Sequence, residues 1–390
     1  VHFVRHSLFF CGAKEAEYLG GNVLYNENKA NEGKEKMDQM NMRNLGFDDT
    51  LAMAAAVDPA LYPGRIASQS RDLFRVLTAQ GELLAKPAGH FRESAAYPAV
   101  GDFVLLDREN AAGGYGKIER LLPRRSVFVR KAAGTGSQEQ VVAANIDRVL
   151  ICMALHQDFN VRRLERYLSI AWDSGALPVI VLTKADLCGD LAARLAEVKT
   201  AAVGVDVLVT SGWQGEGIDA VRRQLAAGRT LAFLGSSGVG KTTLINCLLG
   251  ESRLATGAVR SDGKGRHTTT WRELFVLPDQ GVLLDTPGMR ELGLERADLG
   301  RTFADIESLA AQCRFKDCQH TAEPDCAVRR AIAEGVLEAA RLESYQKLQR
   351  ELRYAGLSAR QRETEKLNAM FAGVGGIKNV RRFAAAKKRR

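Results

Sequence analysis

The segment Gly235-Ser236-Ser237-Gly238-Val239-Gly240-Lys241-Thr242 constrains this chain more than any other. It fits the phosphate-loop pattern G-x-x-x-x-G-K-[ST]; an apolar run, 231–234, precedes it and a helix-forming stretch, 241–249, follows. Glycines at these spacings let successive backbone N–H groups turn inward around phosphates with no Cβ in the way. Lys241 then reaches the β- and γ-phosphates as a point charge, and Thr242 offers a hydroxyl to Mg²⁺. The helix beginning there, with Thr243 in its first turn, aims its positive end at the same anion.

The flanking sequence supplies the sheet that such a loop needs. Apolar runs at 149–154, 179–182, 205–209 and 231–234 alternate with helical patterns at 161–171, 191–198, 218–226 and 241–249, and runs at 271–277 and 282–284 close the set. Strands separated by helices predict an α/β, doubly wound, mostly parallel sheet.

Two further loops sit at strand ends. Asp285-Thr286-Pro287-Gly288 follows the run 282–284. A carboxylate there can hold the Mg²⁺ shell, and the Gly288 N–H can meet the γ-phosphate. Thr183-Lys184-Ala185-Asp186 follows the run 179–182. The Asp186 carboxylate only accepts hydrogen bonds, so it matches the paired N1–H and N2–H₂ donors of guanine. Adenine lacks that pair, and a buried Asp would be left unpaired by ATP. The Lys184 stem can lie along the base, and Thr210-Ser211 can support the base edge from a second loop.

The order of these loops is permuted. In ordinary small GTPases the phosphate loop comes first, whereas here Asp186 precedes Lys241. Only the connections change, so the sheet still closes. The permutation moves the phosphate-sensing stretches 253–270 and 285–294 to the C-terminal edge of the domain.

Ahead of this domain, short strand patterns at 72–79, 82–85, 102–107, 117–122 and 127–130 predict a small β-barrel, an OB-fold first and an SH3-like barrel second. Residues 44–60 read as a short helical leader, and the Asn-, Glu- and Lys-rich stretch 22–39 as disorder. Behind it, Cys313, Cys318, His320 and Cys326 supply three thiolates and an imidazole, a set that suits a closed tetrahedral Zn²⁺ site with a structural role. A long helix is expected from 327 towards 354, with Leu342, Tyr345, Leu348 and Leu352 as its packing stripe. The expected organisation is a leader 1–39, a helical leader 40–63, an OB-fold 64–130, a permuted GTPase domain 131–302, a helical zinc-binding domain 303–356 and a basic tail 357–390.

Charge and hydropathy narrow the partners. Lys plus Arg number 55 against 46 Asp plus Glu, a net charge of +9 that favours an acidic partner, nucleic acid first. Arg314, Lys316, Arg329 and Arg330 around the Cys/His cluster can meet nucleic-acid phosphates. No apolar run approaches the roughly 18–20 residues that span a bilayer, and the apolar stretch 8–13 makes a poor signal peptide. We therefore expect a cytoplasmic, monomeric protein with no membrane partner.

The loop order, the residues 235–243, 183–186 and 285–288, and the Cys/His cluster together resemble the circularly permuted ribosome-biogenesis GTPases of the RsgA (YjeQ/YloQ) family. The resemblance covers about residues 60–355. It implies an N-terminal OB-fold, a permuted GTPase domain and a C-terminal zinc domain. It also implies binding to the small (30S) ribosomal subunit and its 16S rRNA late in assembly, with GTP hydrolysis to GDP stimulated by that subunit. Gly263-Lys264-Gly265-Arg266-His267-Thr268-Thr269-Thr270 resembles the family's first switch, where a Thr completes the Mg²⁺ shell, and Thr268, Thr269 and Thr270 all remain open for that role. Position 289 is Met, where many GTPases carry a water-orienting Gln, and a thioether cannot replace the amide. His267 is the local candidate for the catalytic group. The alternatives are an rRNA-binding assembly module whose nucleotide site senses GTP and GDP with little hydrolysis, and an ATPase, against which Asp186 argues.

Overall fold

The computed structural model describes residues 41–92, 96–131, 139–156, 158–212, 214–250, 273–277, 280–285, 299–355, 361, 364 and 365. The expected leader 1–39, most of the tail, His267, Thr268, Thr269, Thr270, Gly288 and Met289 lie outside them. The chain divides into two compact units, one holding a barrel and an α/β sheet, the other holding the residues from 299 onward.

Strands β1 (Tyr62–Ser70), β2 (Leu73–Thr78), β3 (Gly81–Pro87), β4 (Phe103–Leu106) and β5 (Gly116–Leu121) close into a barrel in the order β1-β2-β3-β5-β4-β1. The β3–β5 pair is parallel and the others are antiparallel. That Greek-key closure is the OB-fold, and the SH3-like alternative falls away. The opening strand differs from the sequence reading. No strand was expected before residue 72, yet β1 runs through Pro63-Gly64, and Gly64 pairs with both Thr78 and Val104. The run at 127–130 is not a barrel strand: among the described residues, β6 (Val127–Lys131) pairs with β7 (Glu139–Ala144) alone. The helical leader is also broken. A 3₁₀ turn, Met42–Leu45, stops at Gly46, and helix α1 (Asp49–Ala55) restarts on the Asp48 cap.

The α/β layer contains β8 (Arg148–Ala154), β9 (Leu177–Thr183), β10 (Val207–Val209), β11 (Thr230–Leu234), β12 (Glu273–Leu277) and β13 (Gly281–Asp285) in the order β10-β9-β8-β11-β13-β12. Pairing is parallel up to β13, and β12 is antiparallel. All five residues of β11 are buried, as are the last six of β8 and of β9, the mark of strands covered on both faces. Helices α2 (Val161–Ser174), α3 (Leu191–Ala201), α4 (Ile218–Arg222) and α5 (Lys241–Leu249) follow their strands. One core joins Leu150, Val181, Leu231 and Phe233 of the sheet to Val221 of α4 and Leu244, Ile245 and Leu248 of α5.

The barrel and the sheet share a buried joint. Arg65 of β1 is fully buried, and no carboxylate among the described residues contacts it. Its guanidinium donates to the carbonyls of Leu45, of Gly101 (3.4 Å) and of Asn145 (3.1 Å), and to Thr230 Oγ1 (2.8 Å). It also lies 4.8 Å from the centre of the Phe103 ring. Burial pulls its pKa down to about 9, with Asp147 opposing, so the cation persists at neutral pH. The backbone round it leaves no space: Gly101, at φ +91°, would put a Cβ 2.2 Å from the Ala144 carbonyl oxygen. Beside it, Arg124 grips the buried Asp102 carboxylate through Nε (2.7 Å) and Nη2 (2.6 Å). A second seam pairs Ser68 of β1 with Glu273 of β12, reinforced by Arg75 to Glu273 at 2.8 Å.

The second unit holds helices α6 (Ala304–Ala310), α7 (Ala327–Ala333) and α8 (Ala339–Ala355), and the buried Phe303 ring meets Tyr345 of α8 edge-on at 5.3 Å. The long helix expected from 327 is two helices, because Gly335 takes φ +73° after α7. Leu342, Tyr345 and Leu348 are buried as the stripe requires, and Leu352 is half-buried. Among the described residues no helix is long and apolar enough to cross a membrane.

Arg65→Met is expected to destabilise the first unit by roughly 3 kcal/mol or more, because it strands several buried acceptors at once. Arg65→Lys should recover little, since one ammonium cannot serve that spread of acceptors. Denaturant unfolding followed by tryptophan fluorescence checks both.

Candidate nucleotide site and Cys/His centre

Strand β11 ends at Leu234 and α5 begins at Lys241, so residues 235–240 form the loop between them. Gly235 takes φ +149°, and a Cβ there would lie 2.3 Å from the Cys152 carbonyl oxygen, which no larger residue tolerates. Gly238 and Gly240 are also left-handed, at φ +75° and +100°. The Lys241 ammonium folds over the loop, donating to the carbonyls of Gly235 (2.8 Å) and Ser236 (2.6 Å). Behind the loop, burial pushes the Cys152 thiol up to about 12. Thr242 and Thr243 are half-buried in the first turn of α5.

The loop after β9 reaches this one directly. The Thr183 hydroxyl donates to the Val239 carbonyl inside the phosphate loop. Thr183 is buried, Lys184 sits in the left-handed region at φ +57°, and Ala185-Asp186-Leu187 form a 3₁₀ turn. The Ala185 N–H donates to the Thr210 carbonyl (3.2 Å), and Ser211 Oγ donates to Asp186 Oδ1 (2.6 Å). Thr210 and Ser211 are themselves buried. Asp186 is exposed rather than buried: its carboxylate stands at the open rim, held from below by Ser211. The second loop also leans on α5, because a Cβ on Gly212 would touch Thr243 Cγ2 at 3.0 Å.

The structure therefore brings together 183–186, 210–211 and 235–243 at the C-terminal ends of β9, β10 and β11. Asp285 ends β13, the parallel neighbour of β11, while its side chain lies outside the described residues. Sequence reasoning missed Arg163, in the first turn of α2. Its Nη1 donates to Ser236 Oγ at 2.7 Å and pairs with Asp158. Neither residue belongs to a phosphate-loop pattern, so only the fold brings them to the loop.

In the second unit the ligand atoms of Cys313, Cys318, His320 and Cys326 lie within 4.8 Å of one another. Cys313 Sγ stands 3.7 Å and Cys326 Sγ 3.4 Å from His320 Nδ1, and the two sulfurs are 3.9 Å apart. A tetrahedral Zn²⁺ with ordinary bond lengths places sulfurs about 3.8 Å apart and sulfur and nitrogen about 3.6 Å apart, so this donor set fits. His320 is held at φ +57°, and the Glu323 carboxylate shapes its loop by accepting the N–H groups of Gln319, Thr321 and Ala322 at 2.8–3.0 Å. Desolvation and the adjacent Cys326 and Cys313 thiols push the Cys318 thiol up to about 11, a penalty on thiolate that a cation would reverse.

Comparison with known proteins agrees with this geometry. Residues 121–295 match the family model described as RsgA GTPase. The chain is 52% identical over 323 residues to the Small ribosomal subunit biogenesis GTPase RsgA 2 of Lactiplantibacillus plantarum, covering 82% of this chain and 91% of that one. This chain belongs to the RsgA family. Among solved structures it is similar to YjeQ from Thermotoga maritima, at a TM-score of 0.57 and 26% identity over 75% of this chain and 98% of that chain. It shares the fold of YloQ, a circularly permuted GTPase, at a TM-score of 0.54 and 24% identity over 75% of this chain and 95% of that one. The permuted order of loops in an RsgA protein is thus the order read here.

Two outcomes follow from this geometry. Thr183→Val removes the hydroxyl under the Val239 carbonyl and is expected to weaken GDP binding roughly tenfold, read by titration with fluorescent GDP. Cys326→Ser is expected to cut zinc content from about one ion per chain to a small fraction, read by metal analysis of purified protein.

Proposed function

We propose that this chain is a GTPase that acts in the maturation of the small ribosomal subunit. The observation that carries the reading is the convergence of the phosphate loop with Thr183-Lys184-Ala185-Asp186 and Thr210-Ser211, cross-linked by Thr183 on Val239 and Ser211 on Asp186. Asp186 accepts the guanine N1–H and N2–H₂, the Lys184 stem lies along the base, and Ala185, Thr210 and Ser211 border its edge. The backbone of 235–240 and the Lys241 ammonium hold the phosphates, with Thr243 behind them in the first turn of α5. Thr242 and Asp285 would hold Mg²⁺, which supplies charge neutralisation at the β- and γ-phosphates when bound. Thr268, Thr269, Gly288 and His267, which lie outside the described residues, are proposed for the same site on the sequence pattern alone.

The fit of the Cys313, Cys318, His320 and Cys326 donor set supports one structural Zn²⁺, because four protein ligands leave no position for a reacting water. The OB-fold barrel, the basic side chains of the second unit and the net charge of +9 support binding to 16S rRNA within the subunit. The domain limits proposed are those read from the sequence, except that the barrel strands run from Tyr62 to Leu121. The protein acts as a monomer in the cytoplasm.

The test is GTP hydrolysis by the purified chain with Mg²⁺, alone and with small ribosomal subunits, and with ATP as control. Hydrolysis of GTP alone, stimulated by subunits and abolished in Lys241→Ala, is expected. Bound GTP with no stimulation would instead favour a nucleotide-sensing assembly module. Asp186→Asn should weaken GTP and favour xanthine nucleotides; unchanged GTP affinity would remove Asp186 from base recognition.

A further inference from the structure

Arg163 has a place in the nucleotide site that no motif assigns. Its backbone is fixed, because the Arg163 N–H donates to the Asn160 Oδ1 cap of α2 at 3.0 Å. Its guanidinium turns back to the phosphate loop, where Nη1 meets Ser236 Oγ at 2.7 Å. On the same residue, the Ser236 carbonyl accepts from Lys241 Nζ at 2.6 Å. Two cations from different helices therefore converge on one loop residue, and one of them is the phosphate-binding lysine of the motif. Arg163 is also paired with Asp158, but both side chains are about a third exposed, at 32% and 36%. An ion pair that open is worth about 0–1 kcal/mol, so it does not explain holding an arginine against the loop. The same weak hold yields readily to a more highly charged anion. Nε and Nη2 of Arg163 engage no described residue, which leaves donors for a planar, two-pronged grip on phosphate oxygens.

We infer that Arg163 is a catalytic arginine supplied in cis, leaving Asp158 and Ser236 to contact the γ-phosphoryl oxygens of bound GTP as charge develops on them. The inference rests on the GTPase reading above. In the reaction, water oxygen bonds to the γ-phosphorus while the bond from that phosphorus to the β–γ bridging oxygen breaks. GDP leaves with the electron pair, and the water proton passes to the phosphate product and solvent. Arg163 exchanges no proton; its fixed charge is worth most where negative charge spreads over the transferring group. The sequence gives it added weight, since Met289 brings no water-orienting amide.

The test is single-turnover hydrolysis at saturating GTP by the full chain, with and without small ribosomal subunits, beside binding of GDP and of GDP with aluminium fluoride. Arg163→Ala is expected to slow the hydrolytic step roughly a hundredfold or more and to abolish the aluminium fluoride complex, with GDP affinity within about threefold of the parent. Arg163→Gln, which keeps a donor for Ser236 without the charge, should behave the same way and covers the case of poor folding. An unchanged rate in both variants would overturn the inference. So would equal losses of GDP and GTP affinity with the rate at saturation intact, because that pattern marks a brace for the loop. If the parent hydrolyses GTP and Lys241→Ala does not, either of these failures sinks Arg163 alone. If the parent fails to hydrolyse GTP, the GTPase reading itself falls.

Discussion

The guanidinium of Arg65 is the point on which the first unit turns. It is a buried cation with no carboxylate in contact among the described residues, satisfied by three main-chain carbonyls and the Thr230 hydroxyl. Those acceptors come from the leader turn at Leu45, the barrel at Gly101, the connection at Asn145 and the head of β11 at Thr230. Desolvating a charge costs several kcal/mol, so the arrangement is stable only with all these pieces in place. Hydrophobic packing alone tolerates small slips between neighbouring bodies; a buried fork of donors does not. Asn145 adds to this, since it lies at φ +57° while its amide donates to the Gly101 carbonyl and accepts from the Arg125 N–H.

The joint also bears on the nucleotide loop. Thr230 opens β11, and β11 runs unbroken into Gly235. Asp147 holds the same residue from the other side, accepting the Thr230 N–H at 2.7 Å and donating to its carbonyl at 3.0 Å. At the far edge of the sheet, Glu273 meets Ser68 and Arg75 of the barrel, and Glu273 opens the strand that follows the switch-like stretch in sequence. The permuted order makes both connections possible. With β8 and β9 placed first in the chain, the barrel enters through β8 beside β11.

Much of this was legible from residue order. The phosphate loop, its strand and helix 241–249, the base loop and the Cys/His set stand where their spacing indicates, because each is a local device whose chemistry dictates adjacent residue types. Long-range features were less legible. Strand β1 is set by pairing with β2 on one edge and β4 on the other, partners that its own residues do not name. Residues 127–130 alternate like a barrel strand but pair with β7, and nothing in the alternation names the partner. The helix expected from 327 breaks at Gly335, a residue that a helix interior also tolerates at a cost of about 1 kcal/mol. The exposure of Asp186, the support of Val239 by Thr183, and the approach of Arg163 to Ser236 depend on tertiary contacts between loops far apart in sequence.

Those contacts explain why the phosphate loop needs bracing from several sides. An array of inward-facing N–H groups is an electrostatically unfavourable shape without its anion, and glycines give it little resistance to collapse. Here Lys241 caps the carbonyls of Gly235 and Ser236, Thr183 holds Val239, and Arg65 fixes the strand behind. In the proposed function Lys241 is a restraint that bound phosphates would displace, whereas Thr183 and Arg65 hold main-chain carbonyls of Val239 and Asn145. A ligand binding the barrel and shifting Arg65 would therefore act on the strand that positions the phosphates. By linkage, nucleotide would act on that ligand's affinity to the same extent. The coupling needs no relay of side chains, because barrel and phosphate loop are fastened to opposite ends of one five-residue strand.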